Sequence, residues 1–262
     1  MKRTRLVGKD ITLPKEFFSY INDAEIYDSS SSPEARVYFI DKDEGYYLKR
    51  SAKGTLEKES IMTDYFHKKG IGAEVVSYLY DDYDWLLTRR MPGEDATYEK
   101  FLSDPKKLCD RLAVYLRELH ELDFSDCPVK NRNEAYLALA DKNYKSNIYD
   151  LSLTEELFSF KSKEEAYELL SLGKKLFKSD VLLHGDYCLP NIMLNDDFGL
   201  CGYIDLGNAG VGDRHIDIFW GTWTLNFNLK TDNYRSRFLD AYGRDKINEE
   251  MIRIIAAAEV FG

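Results

Sequence analysis

Apolar and polar positions alternate with a period of two in the first third of the chain and recur at helical spacing over most of the rest. Residues 35–40 and 45–49 predict two strands, joined into a hairpin by the charged turn Asp41-Lys42-Asp43-Glu44. Leu56, Ile61, Met62, Tyr65 and Phe66 then fall at helical spacing and predict a helix over 55–68, stopped by Gly70. Further strands are expected at 74–80 and 84–88. Arg89-Arg90-Met91-Pro92-Gly93 breaks the pattern, which sets the expected division: a strand-rich lobe over 1–92, a linker near 88–93, and a lobe over 93–262. In the second lobe Leu108, Leu112, Tyr115, Leu119 and Leu122 share one face of a helix expected over 105–122. Helical patterns follow over 133–146, 154–177, 215–228, 233–241 and 248–260. The expected class is α+β, with a small antiparallel sheet lobe and a mainly helical one.

Composition narrows the picture. At 262 residues, 44% hydrophobic and 31% charged, the chain can bury a full core and is neither disordered nor collagen-like. No apolar run reaches the length of a membrane span, and the basic start Met1-Lys2-Arg3-Thr4-Arg5 leads to no apolar signal core, so a cytoplasmic location and no membrane partner are expected. Cys109, Cys127, Cys188 and Cys201 lack zinc-type spacing and read as reduced thiols. A net charge of −10 argues against a nucleic-acid partner. Beyond residue 92, 30 Asp and Glu outnumber 21 Lys and Arg, so an acidic cleft there would attract a cationic small molecule.

Two short segments carry the chemistry. His184-Gly185-Asp186-Tyr187-Cys188-Leu189-Pro190-Asn191 follows the apolar run Val181-Leu182-Leu183, and Asp205-Leu206-Gly207 follows Leu200-Cys201-Gly202-Tyr203-Ile204. An Asp with an Asn five positions on, then a later Asp-x-Gly at a strand end, is the spacing of a kinase catalytic loop and its metal ligand. A hydroxyl attacking a γ-phosphate needs a proton acceptor, for which Asp186 is the candidate. Mg²⁺ needs few protein oxygens beside water and phosphates, which Asn191 and Asp205 would supply. Lys49, at the end of the second hairpin strand, precedes Glu59 by ten positions and is the candidate phosphate-binding cation, with Glu59 its partner and Glu57 the competitor. Ser32, in the run Ser29-Ser30-Ser31-Ser32-Pro33, is placed to meet phosphates, although such a run also suits a flexible linker. The segment holding Arg89 and Met91 would offer backbone hydrogen bonds to the purine of ATP or GTP. His184 and His215 read as structural, and Asp217 as a brace that accepts backbone hydrogen bonds from the catalytic loop.

In this order, and over nearly the whole chain, these motifs resemble the aminoglycoside phosphotransferases, above all the 3′-phosphotransferase branch. That branch carries His-Gly-Asp-x-x-x-x-Asn, and one of its groups shows the Cys-Leu-Pro-Asn-Ile-Met found here at 188–193. Trp85-Leu86-Leu87-Thr88 with Met91-Pro92-Gly93 looks like its lobe-linking segment. The resemblance implies a bilobal, protein-kinase-like fold, nucleotide- and Mg²⁺-dependent transfer to an antibiotic hydroxyl, and the same roles for Asp186, Asn191, Asp205, Lys49 and Glu59. It also implies that Asp150, Glu155, Glu156 and Glu259 meet the cationic aminoglycoside; Glu155 and Glu156 equally suit a solvated helix start after Thr154. The chain departs from the pattern in two places. Asn208 stands where the branch continues Asp-x-Gly with Arg, and the end Ala258-Glu259-Val260-Phe261-Gly262 replaces Asp-Glu-Phe-Phe. The nucleotide motifs do not encode the acceptor, so the rival readings are a kinase for choline, a sugar amine or a macrolide, and a silent nucleotide-binding module.

Overall fold

The computed structural model describes residues 3–6, 13–30, 35–155 and 157–262. Strands β1 (Thr4–Arg5), β2 (Glu25–Asp28), β3 (Ala35–Asp41), β4 (Tyr46–Ala52), β5 (Val75–Tyr80) and β6 (Tyr83–Arg89) form an antiparallel sheet in the order β1-β2-β3-β4-β6-β5. The β3–β4 hairpin turns at Gly45, whose φ of 97° and contact with the Phe39 ring leave no room for a side chain. Val37 lies opposite Lys49 and Phe39 opposite Tyr47, while Lys49 lies opposite Leu86 on β6. The pleat therefore sorts the side chains. Tyr46 and Leu48 pack with Tyr38, Ile40, Trp85, Leu87 and Phe17 in a core on one face. Val37, Tyr47, Lys49, Leu86 and Thr88 line a cavity on the other.

Between strands of this sheet run the short helix α1 (Phe18–Ile21), before β2, and α2 (Glu57–Lys68), before β5. Asp84 of β6 accepts from Leu56 N at 2.8 Å and so seats the start of α2. Burial opposes ionisation of that carboxyl, but the N–H groups of Gly54 and Leu56 hold it below its ordinary range.

Beyond the sheet come β7 (Glu94–Asp95) and helices α3 (Glu99–Leu102), α4 (Pro105–Glu121), α5 (Arg132–Lys145) and α6 (Lys163–Gly173). Strands β8 (Val181–Leu183), β9 (Ile192–Leu194), β10 (Leu200–Tyr203) and β11 (Gly210–Gly212) follow, then α7 (His215–Leu229), α8 (Arg235–Tyr242) and α9 (Glu249–Glu259). Strand β9 pairs with both β10 and β7, and β8 pairs with β11. Helix α4 is the spine of this half, burying Leu108, Leu112, Leu116 and Leu119 in the main core. It starts at the cap Asp104 with Pro105 in its first turn, as the missing proline N–H allows.

One expected helix is shorter than its apolar pattern. The helix expected over 154–177 begins only at Lys163, where the Ser162 hydroxyl caps Glu165 N. Phe158 and Phe160 mimic helical spacing, but they are apolar because they pack on the main core, Phe158 beside Phe219. Strand β2, which pairs with β3 at the sheet's edge side, was absent from the expected elements because its short Glu-Ile-Tyr-Asp stretch carries almost no periodic signal. Among the described residues no helix is long and apolar enough to cross a membrane, and the four cysteines are free.

Candidate active site

The cavity beneath the sheet has a volume of about 420 Å³ and reaches from Val37 and Tyr47 across to Met193, Ile204 and Asp205. Its floor is apolar, with Met91, Met193, Ala73 and Ile204 packed together. Such a slot suits a flat ring, with polar groups gathered at one end. Met91 and Arg89 both line it; the Arg89 guanidinium donates to Glu74 Oε2 (2.8 Å) and to the Tyr46 hydroxyl (3.2 Å). Ser32, expected on the phosphates, lies outside the described residues. Tyr47 faces the cavity two positions before Lys49, and sequence reading did not single it out.

At the polar end Lys49 Nζ donates to both Glu59 oxygens, at 3.0 and 2.8 Å, and to Asp205 Oδ1 at 2.9 Å. Glu59 is buried while Glu57 is exposed, which resolves the alternative in favour of the residue on the face of Met62 and Phe66. Burial pulls the Lys49 pKa down, yet Asp205 and Glu59 outweigh it and the ammonium is held above its ordinary value. Burial, aided by the Asp205 charge, raises the Glu59 carboxyl despite Lys49. Asp205 adopts a left-handed conformation, φ 60°, which costs roughly 1 kcal/mol for a residue with a Cβ and turns its carboxylate toward Lys49.

Asp186 is tied to Asn191, whose Nδ2 donates to the Asp186 carbonyl (3.1 Å) and to its Oδ2 (2.9 Å). That leaves the Asn191 amide oxygen as a hard donor. The Asn191 carbonyl accepts from Ile204 N at 3.0 Å, which stitches its loop to the one that carries Asp205. Asp205 carboxylate and Asn191 amide oxygen together are the oxygen set a small divalent cation prefers, so the residues fit Mg²⁺.

The catalytic-loop backbone hangs on Asp217, which is fully buried at the start of α7. Its Oδ2 accepts from His184 N (2.8 Å) and its Oδ1 from Gly185 N (2.7 Å). His120 Nε2 donates to the same Oδ2 at 3.1 Å, and its Nδ1 accepts from the Tyr242 hydroxyl at 2.8 Å. Burial depresses the His120 pKa, so the ring sits there neutral. His184 also holds the site, its Nε2 donating to the Ile204 carbonyl at 3.1 Å and its Nδ1 accepting from Asp186 N at 3.3 Å. His215 bonds Asp213 and Asn248 N, joining the starts of α7 and α9.

The acidic residues expected on the acceptor are not all placed alike. Glu259, at the end of α9, is buried and accepts from the Tyr136 hydroxyl (2.8 Å) and from Trp220 Nε1 (3.1 Å), in the electrostatic field of Asp186. Asp150 is exposed and its Oδ1 is used within a turn, accepting from Ser152 N and Oγ, while its own N–H donates to the Val260 carbonyl at 2.8 Å. Glu155 is exposed in the same segment, which lies on α7 through the bond from Trp223 Nε1 to the Leu153 carbonyl. Glu156 lies outside the described residues. Tyr136 and Trp220 had no local sequence signal, because their partner is 123 and 39 positions away.

A model of the phosphotransferase enzyme family matches residues 30–252. The chain belongs to that family. This phosphotransferase is 50% identical over 250 residues to a probable aminoglycoside 3′-phosphotransferase of Lactococcus lactis, covering 95% of each chain. Its fold resembles the crystal structure of an aminoglycoside 3′-phosphotransferase of type VIII, with a TM-score of 0.71 and 23% identity over 91% of this chain and 94% of that one. It also resembles a thermostable mutant of another aminoglycoside phosphotransferase, solved with AMP-PNP and hygromycin B, with a TM-score of 0.67 and 14% identity over 93% and 87% of the two chains. The phosphotransferase thus has the expected bilobal, protein-kinase-like fold and is a small-molecule kinase that uses a nucleotide.

Proposed function

We propose that this phosphotransferase moves the γ-phosphate of ATP or GTP to the 3′-hydroxyl of an aminoglycoside antibiotic and so confers resistance in the cytoplasm. What carries the reading is one arrangement: Lys49, Glu59 and Asp205 bonded together at the polar end of the cavity, with Asn191 tying that loop to Asp186. The 50% identity to the Lactococcus protein, extending over 95% of both chains, supports the acceptor class.

In this reading residues 1–92 form the nucleotide lobe, residues 93–262 the catalytic and acceptor lobe, and the segment 88–93 the hinge. The purine lies between Tyr47 and the floor of Met91, Met193 and Ile204, beside Arg89. Lys49, oriented by Glu59, holds the phosphates. Mg²⁺ bound by Asn191 and Asp205 would offset charge developing on the phosphoryl oxygens. Asp186, its orientation set by Asn191, accepts the proton of the attacking hydroxyl. Glu259, together with Asp150, Glu155 and Glu156, meets the ammonium groups of the antibiotic. The acidic surface disfavours nucleic acid.

The test is Mg²⁺-dependent release of ADP or GDP with kanamycin, neomycin and a panel of amino-sugar and small-alcohol acceptors, with Asp186→Asn as control. Acceptor-dependent release with kanamycin, lost in the variant and accompanied by a 3′-phosphorylated product, is expected. Turnover with a non-aminoglycoside alone would overturn the acceptor assignment.

A further inference from the structure

Arg132 opens α5 as a buried cation, 8% exposed, and among the described residues no carboxylate lies within ion-pair distance of its guanidinium. Both of its hydrogen bonds go to one neutral residue. Nε donates to the Asn208 carbonyl at 2.9 Å and Nη2 to Asn208 Oδ1 at 2.8 Å, with Cζ 5.9 Å from the centre of the Tyr136 ring. Taking a guanidinium out of water without a bonded counter-charge is unfavourable, and burial pushes the Arg132 pKa below its ordinary value. Stability alone does not account for a cation here.

Its position does. Asn208 ends the turn Leu206–Asn208 that leaves Asp205. The Asn208 carbonyl lies against Gly185, so closely that a Cβ on Gly185, where φ is 83°, would collide with it. The loop of Asp205 therefore packs directly against the loop of Asp186 here, and Arg132 grips this contact from both the backbone and the side chain. The sequence supplies a second observation. In the 3′-branch that these motifs resemble an arginine usually follows Asp-x-Gly, and here that position is Asn208. The guanidinium of Arg132 stands at the end of the Asn208 side chain.

We propose that Arg132 is a positioning residue for phosphoryl transfer, supplying from α5 the guanidinium that the Asp205-Leu206-Gly207 turn lacks at position 208. It locks the metal-ligand loop onto the catalytic loop. This rests on the reading of Asp186 and Asp205 given above. Because Arg132 is also a positive charge in the field of Glu259, its removal should not weaken binding of a cationic acceptor.

The experiment compares wild type, Arg132→Ser, Asn208→Arg and the double variant. Arg132→Ser is expected to lose roughly 10- to 100-fold in kcat, the size of loss that a misplaced reacting group brings, with an acceptor KM no higher than that of wild type. Asn208→Arg alone sets two guanidinium groups together and should also lose activity. The double variant, with one guanidinium again, should recover to within about fivefold of wild type, a coupling far outside additivity. Melting temperatures with and without MgADP are taken on all four proteins. The rise given by MgADP should be smaller in Arg132→Ser than in wild type and restored in the double variant. Arg132→Ser with wild-type kcat, or a double variant no better than Arg132→Ser, overturns the proposal. A wild type inactive on every acceptor overturns the functional reading instead, and the MgADP shifts then decide the role of Arg132 on their own.

Discussion

Lys49 and Asp205 are bonded to each other, Nζ to Oδ1 at 2.9 Å, although 156 positions separate them in sequence. The same Nζ holds both oxygens of Glu59, so one ammonium stands between two carboxylates at the edge of the cavity. The arrangement is self-consistent without ligand. In the proposed reading, phosphate oxygens would take the place of Asp205 on Lys49, and Asp205 would be freed to help hold a divalent cation.

Lys49→Met should therefore act on stability as well as on rate. Glu59 would be left buried beside Asp205 with no cation, and its already raised pKa would rise further. We predict a lower melting temperature at pH 8 than at pH 6 relative to wild type, and a kcat/KM for nucleotide reduced at least about 100-fold, since Lys49 is the candidate phosphate contact. Adding Glu59→Leu should recover part of the melting temperature and none of the activity. Thermal scans at the two pH values, with nucleotide kinetics, check both halves; a double variant that regains activity would remove Lys49 from the phosphate site.

For Asp186→Asn the expectation is the reverse pairing of effects. The side chain is half-buried, bonded to Asn191 and free of any structural ion pair among the described residues, so an amide of the same shape should fold with a melting temperature close to wild type. Without a proton acceptor kcat should drop by about 10² to 10⁴. Rapid-quench measurement of the first turnover tests this directly. A wild-type rate in that turnover would show that the hydroxyl proton leaves by another route.

The site was legible in sequence where its geometry is local. His184 through Asn191 and Asp205 through Gly207 each lie in one loop at a strand end, so spacing alone gives their mutual arrangement. Glu59 could be separated from Glu57 by helical phase, because Met62 and Phe66 mark the buried face. Asp217 was readable as a brace from its place at the start of a helix after the second motif. What could not be read were bonds made by folding alone. Arg132 reaches Asn208 across 76 positions and Tyr136 reaches Glu259 across 123, and nothing in either neighbourhood marks a polar side chain that will be buried. The over-long helix expected after residue 154 has the same origin, since apolar residues serve tertiary packing whether or not the backbone there is helical.

Asp217 offers a sharper test of the loop itself. Its two oxygens take three donors, His184 N, Gly185 N and His120 Nε2, with no exposure to water. In Asp217→Asn one of those oxygens becomes an NH₂ facing an N–H group. The lost bonds and the buried unsatisfied donor should cost roughly 3 kcal/mol, and the catalytic loop should loosen. We predict a clear fall in the urea midpoint, faster amide exchange at His184 and Gly185, and a kcat lower by about tenfold or more. Unchanged exchange at those two amides would mean that the loop is held by its packing and not by this carboxylate.

Glu259 makes the stability of the protein depend on pH near neutrality. Burial, reinforced by the charge of Asp186, outweighs the hydrogen bonds from Tyr136 and Trp220 and pushes its carboxyl from 4.5 up to about 7. The folded chain therefore keeps a proton that the unfolded chain gives up, so the stabilisation is complete below about pH 4.5 and is lost as pH rises through about 7. Glu259→Gln retains the oxygen that accepts from Tyr136 and Trp220 and cannot ionise. The melting temperature of wild type should thus fall relative to that of the variant between pH 5 and pH 8, a window set by the 4.5 and about 7 values. A polycationic acceptor favours the ionised form, so its binding at pH 7 should release a proton from wild type and fewer from the variant, measured by calorimetry in buffers of different ionisation enthalpy. A melting-temperature difference that stays constant with pH would show that Glu259 is ionised throughout, and the acceptor would then meet a carboxylate already charged.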